Sequence, residues 1–198
     1  MTNIKNYNIS LISFVFVNLA LLGLDSYLSI IYDNMKPELL LKSLPIPSIV
    51  TLLTLVLNGI IPSDYKYKLV FWRWSNPLPG SRLKKIINKD HRVSIDQISL
   101  KFGDIPDEPK QQNMYWYQKI FKPNQESEKI LDVHKKFLLT RDITAISFMI
   151  FIISIVNAII FNGTFIHIVI VLVEYITFSL VSSNYGRRFV ATTIAEAV

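Results

Sequence analysis

Four long apolar stretches constrain the fold of this chain more than any other feature. They cover residues 9–31, 44–61, 143–161 and 165–181. Together they contain two charged side chains, Asp25 and Glu174. A bilayer core about 30 Å thick is crossed by ~20 helical residues, whereas the apolar runs of buried soluble helices are about 10–14 residues long. The sequence therefore predicts an all-α membrane protein with four transmembrane helices, and not a soluble protein with four core helices.

The composition agrees with a membrane protein. Apolar residues make up 51% of the chain and charged residues 18%, whereas about a quarter of a soluble domain is charged. The absence of cysteine excludes disulfides and thiolate metal sites. Lys5 before an apolar run is typical of a signal peptide, but no A-x-A-like cleavage site follows and the run is too long. We expect the first stretch to remain as a signal anchor.

Basic residues are concentrated in the connection between the second and third stretches. Residues 62–142 contain 16 of the 21 Lys and Arg residues, and with four spans Lys5, Arg187 and Arg188 lie on the same side. The opposite side has two. Because cytoplasmic loops carry the excess of Lys and Arg, we expect both termini and the long connection in the cytoplasm.

The spans divide the chain into four parts. These are residues 1–61, with transmembrane helices 1 and 2; 62–142, a basic cytoplasmic subdomain; 143–182, a hairpin of transmembrane helices 3 and 4; and 183–198, a cytoplasmic tail. About 80 residues bury only a modest core, so the subdomain is expected to lean on the membrane, on sister subunits or on a partner. The tail is expected to run along the membrane or to pack on a neighbouring subunit.

Local patterns predict a mostly helical subdomain. Residues 81–89 suit a short basic helix, and residues 92–100 suit either a helix or a strand. A helix over 110–121 is expected to bury the apolar residues that recur at 3–4 spacing. These are Met114, Tyr117, Ile120 and Phe121. The last helix of the subdomain is expected to continue into the third span without a break.

Five polar residues within the spans are predicted to form an intramembrane polar seam. They are Asn18, Asp25, Asn157, His167 and Glu174. At 1.5 Å per residue, Asp25, Asn157 and His167 fall at similar depths, and Asn18 falls beside Glu174. One interpretation is that the seam holds packed helices together by hydrogen bonds. The other is that it lines a channel or a proton-sensitive gate, since ionisable groups in spans usually face a bundle interior or a water-filled cavity.

The basic subdomain supplies the candidate docking surface for a partner. Its candidate residues are Arg82, Lys84, Lys85, Arg92 and Trp116. The mixed aromatic and basic residues at 65–74 instead predict an anchor at the level of the lipid headgroups. Such a mixture also occurs in nucleic-acid surfaces. Directly after a membrane span we favour the anchor, and we expect contact with the lipid bilayer and no direct nucleic-acid binding.

No motif in the sequence points to catalysis. His91, His134 and His167 have no second histidine at metal-ligand spacing, and the chain lacks H-E-x-x-H, G-x-S-x-G and glycine-rich phosphate loops. We therefore expect no enzymatic activity, no cofactor and no metal site. His134 is predicted to be a face residue of its helix.

Part of the subdomain resembles a known group of proteins. Residues 71–82 (FWRWSNPLPGSR), residues 111–117 (QQNMYWY) and His134 followed by Arg141-Asp142 are similar to small bacterial membrane proteins of anti-phage defence operons. Among these the chain most resembles the four-helix membrane subunits of Kiwa systems. The resemblance implies a homo-oligomeric sensor and scaffold in the inner membrane, such as a tetramer. It also implies a cytosolic effector partner from the same operon, which acts on phage DNA or its replication.

Two functions from different classes remain open. The first is an inner-membrane sensor and scaffold of a defence complex, which recruits its cytosolic effector through the basic segment. The second is a pore-forming effector that depolarises the cell on activation, as in some retron systems. The predicted outer loops have about twelve and three residues, which leaves little surface for an extracellular ligand. Either protein is expected to respond to the membrane itself or to its inner face.

Overall fold

The computed structural model describes residues 8–32, 53–54, 56–161 and 165–198, with all their side chains except those of 22–32, 157, 160 and 161. In these ranges every regular element is helical, which confirms the all-α prediction. The principal helices are α1 (Asn8–Tyr32), α2 (Ser63–Phe71), α3 (Leu83–Ile87), α4 (Ile95–Phe102), α5 (Pro109–Tyr115), α6 (Glu128–Phe161) and α7 (Phe165–Ala197). A 3₁₀ turn, Pro79–Arg82, precedes α3, and a π-helical turn, Trp116–Phe121, continues α5 into Lys122–Asn124.

Two helices in the described ranges, α6 and α7, are long and apolar enough to cross a membrane. The part of α1 with described side chains, Asn8–Leu21, is also apolar but shorter. Most of the predicted second span, residues 44–61, lies outside the described residues, although residues 56–60 are helical. The topology with four spans therefore stays a prediction.

Both long helices continue from their apolar parts into the basic subdomain. α6 passes through Arg141 and Asp142 without a break, as predicted. α7 passes through the boundary predicted at 182–183 and ends at Ala197. Its last turns bury Phe189, Val190, Ile194 and Ala197. The expectation that this tail runs along the membrane or on a neighbouring subunit is thereby corrected, because its apolar residues at helical spacing complete the core of their own subdomain.

The described residues form two hydrophobic cores along α6 and α7. The first, here the α1 core, consists of Leu11, Val15, Leu57, Leu138, Ile143, Ile146, Ile150 and Val171. The second, here the subdomain core, consists of Val70, Leu83, Ile87, Ile98, Ile105, Tyr115, Trp116, Ile120, Phe121, Ile130, Phe137, Phe189, Val190, Ile194 and Ala197. Since α6 and α7 contribute to both, the two cores share the same pair of continuous helices.

Two local features position the short helices of the subdomain. Ser94 and Gln97 form a reciprocal capping box at the start of α4, which satisfies two backbone donors and decides the helix alternative for residues 92–100. In the 3₁₀ turn, a Cβ atom on Gly80 would lie 2.7 Å from Asn113 Oδ1 and from Trp116 Cε3. The turn packs this closely on α5 because glycine has no Cβ.

The buried face predicted for residues 110–121 is half correct. Ile120 and Phe121 are buried, but Met114 and Tyr117 are about half exposed. Trp116 lies in the core in their place, with its ring stacked on Phe121 at a centroid distance of 5.5 Å. Large aromatic rings bury the most apolar area, so the tryptophan determined which face of the helix turned inward.

Candidate functional site

Polar side chains of α1 and α7 are joined by a hydrogen bond in the described part of the two helices. Asn18 Nδ2 donates to Glu174 Oε1 at 3.2 Å and to the carbonyl oxygen of Phe14 at 3.2 Å. The pair that depth counting places together is therefore in contact. Asn18 Oδ1 and Glu174 Oε2 are buried and have no hydrogen-bond partner among the described residues. Buried polar atoms are nearly always paired, so these two oxygens mark a candidate site.

The remaining members of the polar seam are only partly described. His167 is buried on α7. The side chains of Asp25 and Asn157 lie outside the described residues, and with them the predicted Asp25–His167 pair. Nearby on α6, Ser147 and Ser154 each donate to the backbone carbonyl four residues earlier. These two hydroxyls are thus satisfied within their own helix.

A closed ionic network lies where α2 meets α6. Lys66 Nζ is 3.2 Å from Asp142 Oδ1, and Arg141 donates to the same oxygen from Nε at 2.9 Å and from Nη2 at 2.8 Å. Lys66 also donates to Asn58, and Arg141 donates to Tyr67 Oη at 3.2 Å. The three charged residues are at most 7% exposed. Sequence reasoning missed this network, although its charges stand directly beside two apolar stretches.

The five predicted docking residues do not share one surface. Lys84 forms an ion pair with an exposed aspartate, whereas Arg82, Lys85 and Arg92 line a cavity. Trp116 is 4% exposed and belongs to the subdomain core, so it does not share a surface with the four basic candidates. The ring is buried because it packs between other aromatic side chains.

The cavity that contains three of these residues has a volume of about 600 Å³ and lies between the end of α2, α3 and α7. We call it the basic cavity. Six of its cations form no ion pair with any described residue, namely Arg73, Arg82, Lys85, Lys89, Arg187 and Arg188. The seventh, Arg92, is bound by Asp90 through contacts of 2.9 and 2.7 Å. The sequence marks Arg73 and the pair at 187–188 separately, but not their convergence.

Two further cavities, of about 940 and 470 Å³, share Leu78, Asn113 and Tyr117 and form an aromatic groove. Its rings are those of Tyr67, Trp116, Tyr117, Phe121, His134, Phe137 and Phe189. Asn113 Oδ1 and Trp116 Nε1 are buried there without a hydrogen-bond partner in the described part of the chain. The π-helical turn Trp116–Phe121 supplies part of the wall. Such turns are rare and are often found at functional sites.

His134 is an aromatic wall residue of this groove. Its ring stacks on that of Phe189 with the centroids 4.4 Å apart. Burial, and to a smaller extent the positive charge of Arg141, lowers the pKa of His134 from 6.5 to about 4. The imidazole is therefore neutral at pH 7 and packs as an aromatic side chain, in agreement with its predicted place on a helix face.

Among the residues that the structure describes, no group of three or more His, Asp or Glu side chains is placed to hold a metal ion. No protein-family model, curated protein or solved structure matches this chain.

Proposed function

We propose that this protein is an inner-membrane sensor and scaffold subunit of a bacterial anti-phage defence complex, which recruits a cytosolic effector. In this proposal four spans leave both termini and the basic subdomain in the cytoplasm, and copies of the chain form a homo-oligomer such as a tetramer. A role in anti-phage defence is suggested by the resemblance of residues 71–82 to membrane subunits of defence operons. The orientation is supported by the excess of Lys and Arg in residues 62–142.

The observation that carries the proposal is the continuity of α6 and α7 through both cores. Phe137 and Leu138 are neighbours in α6, yet the first belongs to the subdomain core and the second to the α1 core. Packed helices move as rigid units, and shifts of about 1–2 Å are a common way of switching. A change in the bilayer that displaces the apolar parts would therefore displace Phe137 and Phe189, which line the aromatic groove.

The aromatic groove is the surface we assign to the cytosolic partner. Tyr117 and Met114 stand about half exposed at its rim, and aromatic residues in pockets are the usual anchors of protein interfaces. Lys68 and Lys110 also line it. The net positive charge of the subdomain complements an acidic segment, so the partner is expected to present apolar side chains flanked by acids.

The test is co-purification with the soluble protein encoded beside this chain, after co-expression and extraction of membranes in detergent. We expect a stable complex that Tyr117→Asp weakens at least ten-fold, because the variant loses the aromatic anchor and its carboxylate would repel the acidic side chains expected in the partner. Leu100→Asp is the matched control, since Leu100 is 89% exposed and lines none of the three cavities. No complex, or equal loss with both variants, would contradict the proposal.

A pore-forming effector is the second candidate, and the contact between Asn18 and Glu174 favours it. Two oxygens of this pair are buried without a hydrogen-bond partner among the described residues, as expected if water or ions approach them in an open state. Ionisable residues within spans commonly mark ion pathways. In this function the basic subdomain is the controlling element, and the polar seam is the conducting one.

Expression of the chain alone separates the two candidates. A scaffold is expected to be harmless, with an unchanged membrane potential reported by a voltage-sensitive dye. A pore is expected to depolarise the cells, and Glu174→Gln or Asp25→Asn is expected to restore the potential. Depolarisation that survives both substitutions would argue against conduction through the polar seam.

A further inference from the structure

The basic cavity brings together positively charged side chains, and most of them have no acidic partner among the described residues. It has seven cationic side chains and one acidic side chain, Asp90, which is already bound to Arg92. Partial burial lowers the pKa of Arg73, and the positive charge of the nearby Arg187 lowers it further. Like charges held together repel unless an anion lies between them. The arrangement is therefore that of an anion-binding site.

The surroundings of the cavity match the level of lipid headgroups. Arg73 stands between Trp72 and Trp74, whose side chains are 56% and 81% exposed. Trp72 ends α2 with a φ of 51°, a left-handed conformation that is uncommon for a bulky residue. Exposed tryptophans beside basic residues are typical of the membrane–water interface, where the indole ring settles among the headgroups.

An apolar stripe on α7 leads into the cavity. Ile176, Leu180, Ser183 and Arg187 follow each other at spacings of four, three and four residues, which places them on one face of the helix. Ile176 and Leu180 are 37% and 53% exposed, whereas Ser183 and Arg187 line the cavity. The stripe thus changes from apolar to cationic in the same direction as a phospholipid changes from acyl chain to phosphate.

We propose that the basic cavity binds the phosphate headgroup of an anionic phospholipid whose acyl chain lies along the Ile176–Leu180 stripe of α7. Basic pockets beside membrane helices on the cytoplasmic side are a known type of headgroup site. Arginine side chains suit phosphate because their planar N–H groups bind two oxygens at once. Phe71, Leu78 and Ile86 supply apolar walls, which a soluble oligonucleotide or an acidic peptide would not require. The site does not depend on the proposed docking of a cytosolic partner.

The test uses the full chain purified in a neutral detergent, without a partner. Short-chain phosphatidylglycerol, short-chain phosphatidylcholine and inorganic phosphate are titrated separately, and binding is followed by native mass spectrometry and by tryptophan fluorescence. We expect phosphatidylglycerol to bind at least ten-fold more tightly than phosphatidylcholine. Inorganic phosphate is expected to compete only at much higher concentration, because it lacks the contact with the apolar stripe.

Two matched variants locate the site. Arg73→Gln with Arg187→Gln removes two cations from the cavity, and Lys122→Gln with Lys129→Gln removes the same charge from exposed positions that line none of the three cavities. We expect the first pair to lower the affinity for phosphatidylglycerol at least ten-fold and the second pair to leave it unchanged. If the first pair fails to fold, Arg82→Gln with Lys85→Gln gives the same comparison.

Three results would overturn the proposal. If both double variants lost the same affinity for phosphatidylglycerol, binding would reflect the overall positive charge of the protein and not a specific site. Equal affinities for the two lipids would exclude recognition of the anionic headgroup. Inorganic phosphate that binds as tightly as phosphatidylglycerol would make the ligand a soluble phosphate compound, not a lipid.

Discussion

The closed ionic network and the basic cavity lie towards opposite ends of the short helix α2. The cations of the network are buried, whereas those of the basic cavity are exposed or, at Arg73 and Arg82, partly buried. In the network, Lys66 and Arg141 share the carboxylate of Asp142 at 2.8–3.2 Å. In the basic cavity, Arg73 and Arg187 have no acidic partner among the described residues. The contrast separates charges that the fold uses to hold itself together from charges that it leaves available for a ligand.

This contrast has an energetic basis. Charges removed from water are tolerated only when countercharges and hydrogen bonds replace the lost hydration. The network provides both, including the hydroxyl of Tyr67 and the amide of Asn58. The cavity keeps its cations partly hydrated, so they cost little until a ligand replaces the water. Substitutions in the two regions should therefore have opposite consequences for folding and for binding.

The largest effect is expected for Asp142→Asn. It removes the carboxylate that two buried cations share, and losing one member of a buried ion pair typically costs about 3–5 kcal/mol of unfolding free energy. The measurement is the midpoint of thermal unfolding in detergent, followed by tryptophan fluorescence. Asp107→Asn, which affects an exposed pair with Lys84, is the control and should leave the midpoint unchanged. If both variants unfolded at a similar temperature, the carboxylate of Asp142 would contribute no more to stability than an exposed one, and the proposed role of the network in the fold would be wrong.

A smaller effect is expected when His134 is protonated beside Arg141. Its pKa is about 4 in the folded state and 6.5 in the unfolded state, so both states are neutral above pH 6.5. As the pH falls from 6.5 to 4, the unfolded state takes up a proton first, and folding stability is lost. With ~1.4 kcal/mol for each pKa unit, partial exposure leaves a loss of about 2–3 kcal/mol.

The comparison for this pH dependence is His134→Phe, which keeps an aromatic ring in the stack on Phe189. The unfolding midpoints of the two proteins should move apart as the pH falls from 6.5 to 4, because only the protein with histidine at this position takes up the proton and loses stability. His91→Gln changes an exposed histidine and should retain the dependence of the natural chain. If His134→Phe shows the same slope between pH 6.5 and 4, the loss belongs to other groups.

The smallest effect is expected for Arg187→Gln. Because Arg187 repels Arg73 and has no acidic partner in the described residues, its removal should leave the unfolding midpoint unchanged or slightly raised. The same variant should bind phosphatidylglycerol more weakly. A clear drop in the midpoint without lipid would show that Arg187 serves the fold, and the comparison between the two regions would fail at this residue.

The helices of the subdomain were largely predictable because their signals are local. The apolar residues at helical spacing in residues 128–161 are neighbours in the chain. The capping box of Ser94 and Gln97 is equally local, although residues 92–100 were predicted as either a helix or a strand. The buried face of residues 110–121 was predicted only in part. Which of Trp116 and Tyr117 turns inward depends on Phe189, which belongs to a different helix.

The candidate sites were predictable only where depth along a helix could be counted. Asn18 and Glu174 were placed together by that count and are hydrogen-bonded. The docking residues were chosen by charge and proximity in sequence, and this grouped Lys84 with Arg82 and Lys85, although only the last two line the basic cavity. Successive residues of a short helix point in different directions, so proximity in sequence did not place these charges on one surface.

The sequence by itself determined the helical class, the apolar stretches and the concentration of basic charge in residues 62–142. These properties follow from composition and from periodicity over a few turns. Only the tertiary structure decided which cations are neutralised and which are left open. Lys66 and Asp142 are 76 residues apart, and the walls of the basic cavity come from three separate segments. The distances between these charges depend on how the helices pack, and the local pattern of the sequence does not specify that packing.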